Sequence, residues 1–269
     1  MKTLGFRGKL VVVTGASSGL GREIARRLAC NEGADLVVAA RRRDRLEELK
    51  ADIERRCSST VHIVTADLGD PGGAESLYHG ATAHGEVFGL VNCAGVTYYG
   101  RMLDAPPGTS ERIFAVNLFA GMRLILLFLP SFLERGRGAI LTVTSLAGLI
   151  ATPFQTAYSA SKHGMQAFMD GIASEYRGRG VTFCSFAPGG MATEMSALSG
   201  LDRKIPVDSA VNMRPARAAR IAVGALKRGR ERCVPGLMNK SIVLFSRLAP
   251  RALALRSANR LYDPGEAAR

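Results

Sequence analysis

Apolar residues along this chain fall into two kinds of pattern, and the two take turns. Short aliphatic runs with no polar face come first, at Lys9 to Thr14, around Leu10-Val11-Val12-Val13. Such runs predict strands covered on both sides. Asp35 to Ala40, Val61 to Thr65, Val87 to Asn92, Ala139 to Thr144 and Val181 to Ala187 read the same way. Between them lie stretches of helical period: Arg22 to Cys30, with Ile24, Ala25 and Leu28 on one side, Asp44 to Arg56, Ala74 to His84, Ser110 to Phe132 and Ala157 to Arg177. Strand-helix alternation this regular predicts right-handed β-α-β units, hence an α/β fold built on a doubly wound parallel sheet. From Gly190 to Pro215 the periodicity gives way to Gly, Ser, Pro and Met, which predicts a flap and not a domain. Pro215 to Arg228 is helical again. The chain thus divides into a domain over 1–236, with its flap at about 190–215, and a basic amphipathic C-terminal extension over 237–269.

Composition narrows the class. With 269 residues, 47% hydrophobic and 22% charged, the chain can bury the core of one large domain. The N-terminus lacks the pattern of a cleaved leader. No apolar run approaches the roughly 20 residues of a membrane span; the longest, Leu124 to Leu129, meets Pro130. Cys30, Cys57, Cys93, Cys184 and Cys233 are dispersed and odd in number. That spacing argues for a reducing cytoplasm and inert thiols, and against a disulfide framework or zinc site. The histidines, His62, His79, His84 and His163, form no ligand cluster, and no metal is expected.

Charge is concentrated at one end. Leu201 to Arg269 carries 15 Lys/Arg against 5 Asp/Glu, which is +10 of the net +13. An acidic partner, a lipid surface or a basic solvated face would each account for it. Nucleic acid is not expected, for want of a recognition module or interleaved aromatics.

Candidate chemistry begins at the first strand-helix junction. Thr14-Gly15-Ala16-Ser17-Ser18-Gly19-Leu20-Gly21 places glycines where a backbone must approach a pyrophosphate, before a helix N-terminus that favours anions. A nicotinamide-dinucleotide site usually ends its second strand in a carboxylate for the ribose hydroxyls. Here Ala40 is followed by Arg41-Arg42-Arg43, so Arg41 and Arg42 predict a 2′-phosphate and NADP(H) as cofactor.

The second constellation is Tyr158-Ser159-Ala160-Ser161-Lys162, with Ser145 thirteen positions earlier. Tyr158 and Lys162 share a helix face, one turn apart. An ammonium there is expected to lower the phenol from its usual value of about 10 and ready it for proton exchange.

Together these motifs resemble the short-chain dehydrogenase/reductase family, over about Lys9 to Arg230. The resemblance implies a Rossmann-like fold, an oxidoreductase acting on carbonyl or CH–OH groups, and a dimer or tetramer. It implies that Gly15, Ser17, Ser18, Gly19, Leu20 and Gly21 cradle the dinucleotide. Asp67-Leu68 would contact the adenine, and Asn92-Cys93-Ala94-Gly95 would stand where the family has Asn-Asn-Ala-Gly. Asn92, Ala94 and Gly95 keep that pattern and Cys93 departs from it. Asn117 would kink the long helix and hold a water, and Ser145 would orient the substrate oxygen. By the same resemblance Tyr158 is the proton donor, and Lys162 holds the nicotinamide ribose. Pro188, Gly189 and Thr193 would cap the carboxamide.

Substrate signals are weaker. Met191, Met195, Leu198 and Leu201 in the flap, with Tyr98, Tyr99, Met102 and Phe154, suggest an apolar wall and a lipid-like ketone or alcohol. Residues 238–262 mix leucines with arginines around Pro250 and could lie on anionic lipid, or pack on the protein's own body or on a second subunit. The expected location is cytoplasmic, with or without peripheral membrane contact. A non-catalytic dinucleotide sensor on the same fold is the alternative; its hallmark, loss of Tyr158 or Lys162, is not present.

Overall fold

The computed structural model describes residues 4–203, 209 and 212–265. Flap positions 204–208, 210 and 211, and the last four residues of the C-terminal extension, lie outside the described residues. Those described form a seven-stranded sheet: β1 Leu10–Thr14, β2 Asp35–Ala40, β3 Val61–Thr65, β4 Val87–Asn92, β5 Gly138–Val143, β6 Val181–Phe186 and β7 Arg232–Cys233. All neighbours pair in parallel, in the order β3-β2-β1-β4-β5-β6-β7. The chain runs outward from β1 to β3, returns to β4, and runs outward again. The reversal between β1 and β4 opens a crevice at the strands' C-terminal ends.

The helices are α1 Gly19–Glu32, α2 Arg43–Arg56, α3 Gly73–Thr82, α4 Thr109–Phe114, α5 Ala120–Glu134, α6 Thr156–Glu175, α7 Glu194–Leu198, α8 Pro215–Lys227, α9 Leu237–Leu248 and α10 Arg251–Tyr262. Alternate strand residues feed opposite layers. Val11, Val13, Leu36 and Val38 pack with α1, α2 and α8, whereas Val12, Val37, Leu90 and Ile140 pack with α3, α5 and α6. Burial on both faces is why these strands read as continuous apolar runs.

Several expectations require correction. A two-residue strand, β7, extends the sheet through Ser185↔Arg232 and Phe186↔Cys233; it is too short to leave a period in the sequence. The helix Thr109–Glu134 is continuous through a π-helical turn at Ala115–Phe119 and through Pro130. At 26 residues, with mean hydropathy 2.0 over its most apolar 18, it has the length and composition of a membrane span, contrary to expectation. Its Leu124, Ile125, Phe128, Leu129 and Phe132 are buried in the core. Cys30 and Cys57 are joined in a disulfide, with Cα atoms 5.2 Å apart. α1 and α2 cover the same sheet face, so their C-terminal ends converge; a separation of 27 residues in sequence hides this. Cys93, Cys184 and Cys233 are free thiols.

Candidate active site

The glycine turn is built by close approach. Gly15 has φ +67°, and a Cβ there would lie 2.9 Å from the Ala94 backbone. A Cβ on Gly21 would collide with the Gly15 carbonyl oxygen. Thr14 fixes this contact: its Oγ1 accepts from the backbone N–H of Cys93 (2.9 Å) and Ala94 (3.0 Å) and lies 3.3 Å from the Val91 carbonyl. Only the main chain of Cys93 takes part, so a cysteine is tolerated where the resemblance implies asparagine. Burial pushes its thiol up to about 12. α1 begins without a side-chain cap from Ser18 and without an acid in its first turn. Its leading N–H groups are therefore unclaimed by a cap and point to an anion.

This turn opens onto a cleft of about 450 Å³. Ser145 follows β5, and Tyr158 and Lys162 project from the first turns of α6 into the same cleft. Ser145 hydrogen-bonds to the Tyr158 side chain. Lys162 Nζ donates to the Val143 carbonyl at 2.9 Å and lies 5.7 Å from the centre of the Tyr158 ring. The expectation that Lys162 lowers the phenol's pKa is corrected. Burial pushes Tyr158 above its ordinary value, and the Ser145 hydrogen bond only offsets part of this. Burial also lowers Lys162, to about 8. In this cleft, desolvation acts on both groups more strongly than they act on each other.

Asn117 sits behind the cleft, inside the π turn, and is 3% exposed. Its Oδ1 accepts from Val96 N at 2.8 Å, and its Nδ2 donates to the Val96 carbonyl at 2.9 Å and to Ser161 Oγ at 3.1 Å. The helix irregularity expected there is present, in service of this anchoring. Asn92 Nδ2 donates to the Gly121 carbonyl at 3.2 Å. Asn92 Oδ1 and Thr142 Oγ1 are buried without a protein partner, and both line a space of about 10 Å³ shared with Asn117 and Lys162.

Around the rest of the cleft stand Ser17, Ser18, Gly19, Leu20, Arg41, Arg42, Leu68, Gly95, Pro188, Gly189 and Thr193. Asp67 also lines it, but its carboxylate is held by Arg112 at 2.5 and 2.6 Å. Burial pushes that carboxyl up; Arg112 and the Gly69 N–H outweigh it and hold the pKa low. Arg42 is engaged by Glu194 of α7. Met191, Met195 and Leu198 form the flap side of the cleft. Tyr99 does not serve as a wall in the way expected: its hydroxyl donates to the Tyr262 carbonyl at 2.7 Å and fastens the end of α10. Arg112, Glu194 and Tyr262 escaped the sequence reading because each reaches the site across more than 40 positions. Glu194 alone carried a signal, being adjacent to Thr193.

The residues present fit a nicotinamide dinucleotide. The glycine cradle excludes side chains, the α1 terminus offers N–H groups, and arginines replace the ribose-binding acid.

Comparison with known proteins agrees. The short chain dehydrogenase family profile matches residues 9–204, and the chain belongs to that family. Dehydrogenase/reductase SDR family member 7B of Bos taurus is 36% identical over 198 residues, 71% of this chain. The match spans 60% of the length of that cattle protein. The Xenopus laevis protein of the same name is 33% identical over 262 residues, covering 91% of this chain and 79% of its own. A short-chain dehydrogenase from Sphingobium yanoikuyae, solved in complex with NADPH, superposes with a TM-score of 0.79 at 26% identity, covering 96% of this chain and 97% of that one.

Proposed function

We propose that this protein is an NADP(H)-dependent oxidoreductase that reduces an apolar, lipid-like ketone or oxidises the corresponding secondary alcohol. The observation that carries this reading is the convergence of Ser145, Tyr158 and Lys162 on the cleft that the glycine turn opens. The bound dinucleotide would supply or accept the hydride. Gly15, Ser18, Gly19, Leu20 and Gly21 would hold its phosphates, and Arg41 and Arg42 its 2′-phosphate; Ala94, Gly95, Pro188, Gly189 and Thr193 line the remaining wall.

The protein's own part is proton handling. A phenol raised by burial stays protonated at neutral pH, the form a donor to a carbonyl oxygen needs. Ser145 and Tyr158 together present hydroxyls where negative charge would build. Lys162, buried yet still protonated below about 8, places a positive charge behind them. The small polar space beside Asn117, Asn92 and Lys162 is about the size of one water, which supports Asn117 as an anchor for a relay.

Replacing Tyr158 by Phe tests the assignment. Turnover should fall by at least about 10²-fold, while the dissociation constant for NADPH changes little. Undiminished turnover would remove Tyr158 from the chemistry. The substrate class rests on Met191, Met195 and Leu198 along the cleft, with Leu198 81% exposed at its mouth. NADPH oxidation should rise with ketone chain length; activity confined to small polar carbonyls would contradict the lipid reading. Phe119 and Leu126, seven residues apart and both exposed on one helix face, support association of subunits through that helix.

A further inference from the structure

Glu194 is the first residue of α7, in the flap, and stands 152 positions from Arg42. Its two carboxylate oxygens accept from Arg42 Nη1 at 2.7 Å and from Arg42 Nη2 at 2.8 Å. The same Nη2 donates to Ser17 Oγ at 3.2 Å, and the carboxylate is hydrogen-bonded to Ser18 as well. An anion of this chain thus sits on two groups, Ser18 and Arg42, that the NADP(H) reading assigns to the dinucleotide, and Arg42 is tied in turn to a third, Ser17. A guanidinium fork and adjacent hydroxyls suit a phosphate as well as a carboxylate.

We infer that Glu194 is a specificity-determining residue for the cofactor, an internal competitor that holds Arg42 until a 2′-phosphate displaces it. The inference rests on the NADP(H) reading above. A dinucleotide without the 2′-phosphate has nothing to offer Arg42 in exchange for the carboxylate, and leaves the pair intact. One bearing the phosphate puts a dianion where Glu194 lies, so the carboxylate must leave. α7 then loses its tie to the start of α2. Since Met195 and Leu198 belong to α7, the residues that bound the substrate side are released with it. Occupancy of the 2′-phosphate position is thereby coupled to the flap. Arg42 and Glu194 are 40% and 38% exposed as side chains, so the pair is tight in geometry but open to exchange.

Calorimetric binding of adenosine 2′,5′-bisphosphate and of AMP to the full chain separates the possibilities. Glu194→Gln should bind the bisphosphate about fivefold tighter, the scale of an exposed ion pair. AMP affinity should stay within about twofold. Glu194→Asp, which keeps the charge, should show a smaller gain than Glu194→Gln. An unchanged or weakened bisphosphate affinity in Glu194→Gln, or an equal gain for AMP, overturns the competitor role. Arg42→Ala distinguishes the two layers. If it weakens bisphosphate binding while Glu194→Gln brings no gain, only the competitor role fails. If it leaves bisphosphate affinity intact, the 2′-phosphate reading fails and takes the competitor with it.

Discussion

Tyr158 and Lys162 show how burial sets the chemistry of single residues here. A fully solvated pair one helical turn apart would be governed by mutual attraction. In this cleft each is desolvated, the phenol rises and the ammonium falls to about 8. Lys162 should therefore lose its proton near pH 8 in the cofactor-free protein, as followed by NMR of lysine Nζ. A midpoint above pH 10 would show that burial is not felt. The sign of the linked stability follows. Between about 8 and the ordinary 10.5, the unfolded chain holds the proton that the folded one has released. Stability conferred by this group therefore rises with pH across that window. Lys162→Met should lack the rise in denaturant titrations at pH 8 and pH 10. Helical spacing made the pairing of these two side chains legible in the sequence. Their solvation was not, because it depends on Val143, Ser145 and the flap, which come from other elements.

At the scale of elements, convergence does what local pattern cannot. Strands β2, β3 and β4 and helices α2, α6 and α8 stand within a residue or two of their sequence expectations, since each declares itself by apolar period and flanking Gly or Pro. The Cys30–Cys57 bond is of another kind. It ties the ends of α1 and α2, which meet because both pack on one face of the sheet. For a loop of this length, Cys30→Ser with Cys57→Ser should lower stability by about 3 kcal/mol. Cys30 is exposed, so reductant added to the native protein should reproduce that loss in the urea midpoint. Equal midpoints with and without reductant would mean that the thiols are not joined in solution. The π turn at Ala115–Phe119 was foreseeable only as an irregularity. Its cause is tertiary: the turn delivers Asn117 to the Val96 backbone and Ser161.

On the scale of the whole molecule, the C-terminal extension is the asymmetric part. From 237 to 262 it carries Lys240, Arg247, Arg251, Arg256 and Arg260 and no acid. Pro250 splits it into α9 and α10, as the residue's fixed φ and missing N–H require. The end of α10 packs against the body through Tyr99 and Tyr262, next to the Tyr158 phenol. Other positions remain uncovered: Leu237 is 81% exposed, Leu248 75% and Leu244 58%. Both readings of the tail thus have support, one side being docked and the other apolar, basic and open. Vesicles containing anionic lipid should sediment the protein, and added salt should release it. A variant with Arg247, Arg251, Arg256 and Arg260 replaced by Gln should stay in the supernatant. Equal binding to neutral vesicles would leave charge without a part in it.

By itself the sequence determined the class of sheet, the succession along the chain of six of its strands with the helices between them, the glycine turn, and the Tyr158–Lys162 pair. Each is written within one element or at one junction, where spacing along the chain equals spacing in space. Only tertiary structure decided that Glu194 holds Arg42, that Arg112 claims Asp67, that Cys30 meets Cys57, and that Tyr262 returns to Tyr99. Those contacts join positions far apart in the chain. Their energies depend on desolvation and distance, and neither is defined until the sheet has brought the elements together.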